Sequence, residues 1–202
     1  IPPKIAPIQV VIIPINPKNE KSKEFSSFVT NLEEKLSNLN IRTHVDQLDE
    51  SPGFKFNKWE LKGVPLRIEL GPRDLQSNSF MCARRTGEKS SCSLDDLISS
   101  VKKELSLVDS EMKEKAKSHF NKHIKKMPNL KMTGSNISFE EDLEAGYVYE
   151  MAFDGNDAEA EMIEKATGLS FLGESMVPYN NERQCIVSGK STQKRIFLAK
   201  TY

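Results

Sequence analysis

The run IQVVIIPI at residues 8–15 is the feature that most restricts how this chain can fold. It is short, almost entirely apolar and rich in β-branched residues, which is typical of a strand covered on both faces in a parallel sheet. Beyond a polar loop, residues 41–45 predict a second strand. Between the two, apolar residues recur at three- and four-residue spacing and predict an amphipathic helix: Phe25, Phe28, Val29, Leu32, Leu36 and Leu39. This β-α-β order predicts a right-handed crossover, with residues 8–15 as the central strand of an α/β domain.

The following segment predicts the rest of that domain. Residues 56–62 indicate a short helix, and residues 65–70 a strand that ends at Gly71-Pro72. Residues 80–84 and 90–92 predict a hairpin in which Gly87 supplies a positive φ. Ser93 and Asp96 resemble a capping box at the start of a long helix that ends before Pro128. We expect a first domain over residues 1–127, with a mixed sheet and helices on both of its faces.

A second pattern follows the small, polar residues 128–136. It predicts a short helix near residues 139–143, a strand over 147–153 and a helix over 157–168. Short strands are expected at 176–178, 185–187 and 195–199. These elements predict a small α+β domain over residues 128–202, which at about 75 residues needs either docking or a staple.

Composition narrows the possible functions. Lys plus Arg and Asp plus Glu number 29 each, so any contact with RNA must come from a local patch. No apolar run approaches the ~20 residues of a membrane span. The three cysteines form no C-x-x-C pair, which favours a reducing, cytoplasmic compartment. The opening residues IPPK resemble neither a signal peptide nor a translation start, so we expect a piece of a longer protein.

Two long stretches resemble a known family. PPKIAPIQVVI at 2–12 and PGFKFNKWELKGVPLRIELGPRDL at 52–75 are similar to the anticodon-binding domain of prolyl-tRNA synthetases of the eukaryotic and archaeal type. The similarity resumes at 161–168 and 185–190 and includes the terminal AKTY. It implies proline tRNA as partner, a class II catalytic domain elsewhere in the same protein, and a homodimer of the full-length enzyme. ATP and Mg²⁺ would serve that catalytic domain, so we expect this chain to hold no cofactor and to be catalytically inactive alone.

The resemblance also implies which residues read the anticodon, whose second and third bases are guanine. A guanine offers N1–H and N2–H donors on one edge and O6 and N7 acceptors on another, so carboxylates and Arg or Lys suit it. An aromatic ring that stacks on an unpaired base adds roughly 1–3 kcal/mol. The implied set is Phe56, Glu60, Arg67, Arg73, Asp74 and Lys89. The alternative is that Glu60 and Arg67 form a surface ion pair and that Phe56, like Trp59, belongs to the core.

Other polar residues have weaker cases. Lys125 and Lys126 are the best candidates for phosphate contacts, although such basic runs are more often a solvated helix face. His44, His119 and His123 have no cysteine, carboxylate or nucleophile at a useful spacing, so we expect structural roles for them.

The C-terminal domain of many family members holds a structural zinc ion through four cysteines. The family pattern puts Glu159, Met176, Cys185 and Ser188 at those positions, which leaves one thiolate where a closed site needs about four N or S ligands. We therefore expect no zinc. The resemblance also implies that Tyr202 and its carboxylate point toward the active site of the catalytic domain. Local packing of this aromatic residue is the alternative.

Two other functions remain open. One is a non-catalytic accessory or dimerisation module of a synthetase paralogue, although such a module has no chemical reason to keep Glu60, Arg67, Arg73 and Asp74 together. The other is a flavodoxin-like domain that binds a small anionic ligand at its strand ends. The absence of a glycine-rich loop after Ile15 counts against it.

Overall fold

The computed structural model describes residues 1–15, 23–128, 130–133, 136–139 and 142–201. The chain divides into two compact units, residues 1–116 and 117–202. This division falls within the long helix Leu97–Lys122, whereas the sequence predicts a boundary after residue 127. The assignment of the two functional domains to 1–127 and 128–202 stays a prediction.

The first unit is built on a five-stranded mixed sheet. In chain order its elements are β1 (Val10–Pro14), α1 (Lys23–Ser37), β2 (Thr43–Val45), α2 (Pro52–Leu61), β3 (Leu66–Leu70), α3 (Pro72–Gln76), β4 (Ser79–Arg84), β5 (Lys89–Ser93) and α4 (Leu97–Lys122). The strand order is β2-β1-β3-β4-β5. β1 runs parallel to β2 and β3, whereas β4 and β5 are antiparallel. β1 is buried as predicted, but β3 occupies the middle of the sheet.

Helices cover both faces of this sheet, as the sequence predicts. Alternate side chains of β1 enter different cores because successive residues of a strand point to opposite faces. Val10 and Ile12 join the core formed with α1 and α4. Val11 and Ile13 pack with Trp59 of α2 on the other face. The apolar run at 8–15 therefore has a partner on each side.

Turns and caps decide the remaining connections of this unit. The predicted hairpin is β4–β5, and Gly87 has a φ of 113° in its turn. Ser51 caps α2, which starts four residues earlier than predicted, at Pro52. Ser93 does not cap α4: it ends β5, and its hydroxyl accepts a hydrogen bond from the amide of Asp95. α3 begins directly after Gly71 and was not predicted.

The second unit contains the end of α4, a four-stranded sheet with the order β10-β13-β9-β6 and the helix α5. Its elements are β6 (Ile124–Lys126), β7 (Lys131–Thr133), β8 (Asn136–Ser138), β9 (Val148–Ala152), α5 (Asp157–Thr167), β10 (Ser170–Glu174), β11 (Arg183–Gln184), β12 (Ser191–Thr192) and β13 (Arg195–Ala199). α5 begins at a capping box formed by Asn156 and Glu159 and ends at Gly168, whose φ is 69°. Ile163 of α5 and Leu198 of β13 are fully buried in the core of this unit.

Several predictions for this unit are wrong. Residues 139, 142 and 143 are not helical, and residues 140–141 lie outside the described residues. Residues 176–178 form no strand, and residues 185–187 form none either, because a turn at residues 186–188 follows β11. The strands β6, β7, β8, β10, β11 and β12 were not predicted. Strands of two to five residues with exposed side chains carry too little alternation for their period to be recognised.

Candidate nucleic-acid interface

Strand register places several predicted site residues on one surface. Arg67 of β3 pairs with Val11 on one side and with Ala83 on the other, and Ala83 pairs with Lys89 of β5. Residues paired in this way lie on the same face of a sheet, so Arg67 and Lys89 point to the same side, two strands apart. Because Val11 belongs to the core under α2, this is the face that α2 covers.

Glu69 links the two cations. It lies two residues after Arg67 in β3 and therefore on the same face, and it is only 8% exposed. Arg67 Nε donates to Glu69 Oε1 at 3.0 Å, and Arg67 Nη2 lies 3.0 Å from the same oxygen. Lys89 Nζ donates to Oε1 at 3.0 Å and to Oε2 at 3.3 Å. Glu60 adds an ion pair with Arg67 Nη1 at 3.6 Å. We call Glu60, Arg67, Glu69 and Lys89 the charged cluster.

Phe56 forms the apolar floor of the charged cluster. Its ring is half-buried against the core of Val11, Ile13 and Trp59. The guanidinium carbon of Arg67 lies 4.1 Å from the ring centroid, and Lys89 Nζ lies 5.5 Å from it. Cations over an aromatic face are attracted by its quadrupole. Stacking of Phe56 on a base stays a prediction, and such a base would share this ring with the two cations.

Asp46 anchors the helix that supplies Phe56 and Glu60. It follows β2, is 1% exposed, and accepts a hydrogen bond from Trp59 Nε1 at 2.6 Å. Lys58 Nζ donates to the same carboxylate oxygen at 3.1 Å. The buried ammonium of Lys55 donates to the Asp46 carbonyl at 3.2 Å. Burial alone raises the pKa of Asp46, but the hydrogen bonds from Trp59, Leu48 and Lys58 outweigh it and hold that pKa below its usual value.

Arg73 and Asp74 lie on α3 and take no part in the ion pairs of the charged cluster. Asp74 Oδ2 accepts a hydrogen bond from the amide of Gly71 at 2.6 Å and so closes the start of the short helix. Arg73 is exposed. Across the described part of the chain, neither side chain forms a hydrogen bond or ion pair with the charged cluster. Their anticodon contacts stay predictions, and Asp74 has a local structural role in addition.

The basic run at the end of α4 carries an aromatic stack in the second unit. The rings of His119 and His123 lie 4.2 Å apart, and His123 stacks on Tyr147 at 5.3 Å. Lys125 Nζ lies 3.8 Å from the centroid of Tyr147 and is bonded to Glu144 at 2.6 Å. The ammonium of Lys125 is therefore already engaged. Its role as a phosphate contact stays a prediction, as does that of Lys126, which is exposed.

The four positions of the family's zinc pattern do not form a donor set for zinc. Cys185 is buried and accepts a hydrogen bond from the Asp154 amide. Burial raises the pKa of this thiol, but hydrogen bonds led by the one from Ser188 lower it below its usual value. Glu159 is used in the cap of α5, and Met176 is fully exposed. Within residues that the structure describes, no group of three His, Cys, Asp or Glu is placed to hold a metal ion.

Two further expectations concern the chain end and the membrane. Tyr202 lies outside the described residues, so its direction stays a prediction. Among the described helices, none is both long and apolar enough to cross a bilayer.

Comparison with known proteins identifies the part of the chain that carries this surface. Residues 9–104 match a family model described as the anticodon binding domain. That stretch includes the whole charged cluster, Phe56 and Asp46. Residues 9–104 are an anticodon-binding domain.

The chain as a whole, which includes the anticodon-binding domain and the residues after it, is similar to proline–tRNA ligases. The chain is 35% identical over 210 residues to the proline–tRNA ligase of Thermococcus kodakarensis. This alignment covers 100% of the chain and 42% of the relative. It is 37% identical over 193 residues to that of Methanocorpusculum labreanum, with coverages of 94% and 39%. It is 31% identical over 210 residues to the chloroplastic/mitochondrial enzyme of Arabidopsis thaliana, with coverages of 100% and 38%. The chain thus spans about two fifths of the length of these relatives.

Sequence reasoning missed Glu69, which joins the charged cluster, and Asp46, which holds α2 beside it. Glu69 was signalled by its spacing of two from Arg67, because a strand places such residues on one face. Nothing in the local sequence marked Asp46. Its three cationic or indole partners lie 9 to 13 residues away, on a different element.

Proposed function

We propose that this chain binds the anticodon of proline tRNA as part of a proline–tRNA ligase. The observation that carries the proposal is the charged cluster, which groups Glu60, Arg67 and Lys89 on one face of the anticodon-binding domain. The names of the relatives supply the amino acid and therefore the tRNA.

The chemistry of the cluster suits guanine. Arg67 and Lys89 can donate to O6 and N7, which are acceptors, and Glu60 can accept from N1–H and N2–H. The side chain of Glu60 is 63% exposed, and its ion pair with Arg67 is long at 3.6 Å. An ion pair this long, with one exposed partner, contributes little to stability, so it is readily exchanged for contacts with a base.

The wider function follows from the relatives and belongs to the whole protein. In this proposal the chain is joined to a catalytic domain that uses ATP and Mg²⁺ to attach proline to its tRNA, and the full-length enzyme is a homodimer. The chain alone makes no prolyl-adenylate. A cytoplasmic location is part of the proposal, and the free thiols of Cys82, Cys92 and Cys185 are compatible with a reducing compartment.

Glu60→Gln tests the proposed base reading. The change removes a negative charge, which by simple electrostatics should strengthen binding to a polyanion. If Glu60 accepts hydrogen bonds from guanine, binding to the proline tRNA anticodon stem–loop should instead weaken by about 1–3 kcal/mol. A titration compares this RNA with a copy in which adenine replaces the second and third anticodon bases, and the difference between the two should shrink.

Glu50→Gln is the matched control, because Glu50 is exposed and immediately precedes the cap of α2. It makes the same charge change and should leave the difference between the two RNAs intact. Should Glu60→Gln bind both RNAs as tightly as the parent or more tightly, Glu60 does not read guanine. A parent chain that binds both RNAs equally would favour the accessory-module alternative.

A further inference from the structure

The donors of Arg67 and Lys89 are held by a carboxylate that no base can reach easily. We propose that Glu69 is a positioning residue, which fixes these two cations and thereby makes the charged cluster select guanine instead of binding any phosphate. This inference rests on the function proposed above. It assigns to Glu69 a role distinct from that of the exposed Glu60.

The geometry of Arg67 supports the first step. Its Nε donates to Glu69 Oε1 and its Nη2 lies 3.0 Å from the same atom, so two of its three nitrogens are directed at Glu69. The side chains of Arg67 and Glu69 are only 11% and 10% exposed. Nη1, which lies on the side of Glu60, remains for a ligand. A guanidinium held along one edge presents its other donors in a fixed direction, because the group is planar.

Lys89 is restrained in the same way. Its ammonium lies within 3.0 and 3.3 Å of the two Glu69 oxygens, although its side chain is 49% exposed and would otherwise be free to turn. Ala83 stands between Arg67 and Lys89 in the row across β3, β4 and β5. Because alanine has no long side chain, Lys89 can reach across it to Glu69.

Charge supports the second step. The charged cluster holds two cations and two carboxylates, so its formal net charge is zero. Without Glu69 the same surface has an excess positive charge and two long side chains free to follow phosphates. Contacts with phosphates raise affinity without carrying sequence information. Glu69 therefore lowers general RNA affinity while it keeps the donors aligned for one base edge.

Glu69→Gln and Glu69→Asp separate position from charge. The first keeps the shape but removes the charge, and the second keeps the charge but shortens the reach by one methylene. The 202-residue chain is titrated with the two anticodon stem–loops described above, one with both guanines and one with adenines. For Glu69→Gln we expect the affinity ratio between the RNAs to fall roughly tenfold, while affinity for the adenine RNA rises. For Glu69→Asp the ratio should fall without that rise.

Glu88→Gln is the matched control, since Glu88 is exposed in the turn immediately before Lys89. It should raise affinity for both RNAs equally and leave their ratio unchanged. If the parent prefers guanine and both Glu69 variants keep the parent's ratio, the positioning role is wrong. If the parent itself shows no preference, the proposed function fails first. Fluorescence of Trp59, the single tryptophan, reports whether each variant is folded. If Glu69→Gln is unfolded, the affinity ratio of Glu69→Asp alone tests the positioning role.

Discussion

The carboxylate of Asp46 is a buried charge on which the position of α2 depends. It accepts hydrogen bonds from Trp59 and Lys58, and the backbone carbonyl of the same residue accepts one from Lys55. We expect Asp46→Asn to lower the free energy of unfolding at pH 7 by about 1–3 kcal/mol, because a hydrogen-bonded charge is lost beside two ammonium groups. Urea unfolding followed by Trp59 fluorescence measures the loss.

The same residue predicts a dependence on pH. The pKa of Asp46 is lowered in the folded state, so its contribution to stability is present above the pKa of an unfolded aspartate, about 3.9. The contribution disappears as pH falls through the lower pKa of the folded state. The gap between the parent and Asp46→Asn should therefore begin to close as pH falls below about 4 and should keep narrowing as pH falls further. Asp49→Asn, at an exposed position three residues later, is the matched control and should cost little stability at pH 7.

At the scale of elements, the β4–β5 hairpin that carries Lys89 is fastened to α4 by a buried ion pair. Arg84 Nη1 lies 2.5 Å from Glu104 Oε2, and Arg84 Nη2 lies 3.2 Å from Glu111. Ser90 of β5 also donates to Glu104, at 2.9 Å. The side chains of Arg84 and Glu104 are 11% and 6% exposed, so each charge depends on its partner.

Glu104→Ala should therefore destabilise the first unit by about 3 kcal/mol, because it leaves Arg84 buried without its nearer carboxylate. The double change Arg84→Met with Glu104→Leu should recover most of that loss, since apolar side chains can replace a buried pair. Urea unfolding of both variants is compared with Asp109→Asn, which breaks an exposed pair with Lys113 on the same helix. A Glu104→Ala variant no less stable than Asp109→Asn would show that the pair does not fasten the hairpin.

At the scale of the whole molecule, the second unit has a hydrophobic core of its own. Its core includes Tyr149, Met151, Ile163 and Leu198, and Cys185 is buried among them. The thiol of Cys185 takes its hydrogen bonds from the backbone and from Ser188. These hydrogen bonds stabilise the turn after β11. Cys185 is the one cysteine among the four positions of the family's zinc pattern.

We accordingly predict that the purified chain holds no stoichiometric zinc. Metal analysis after purification without chelators should find much less than one zinc ion per chain, and added EDTA should leave the urea midpoint unchanged, because no metal-binding energy is coupled to folding. One zinc ion per chain, lost together with stability on EDTA treatment, would overturn the prediction.

Elements with local signals could be predicted from the amino-acid sequence alone. The apolar run at 8–15, the periodicity that produced α1 and the Gly87 turn of the hairpin each reflect the period or backbone preference of neighbouring residues. The resemblance supplied Glu60, Arg67 and Lys89 as base-reading residues, and the structure brings these three together. The small strands of the second unit lack such local signals, because their pairing partners define them.

The arrangement of the site depends instead on contacts between elements that are distant in the chain. Strand register puts Arg67, Ala83 and Lys89 in one row, and this register joins residues up to 22 positions apart in the chain. The burial of Glu69 and Asp46 depends on α2 lying over that face of the sheet. Glu60 and Glu69 are the same residue type in the sequence, but the fold leaves Glu60 exposed and buries Glu69. The role of each carboxylate follows from the neighbours that the fold gives it, because burial and partners determine which contacts it can make.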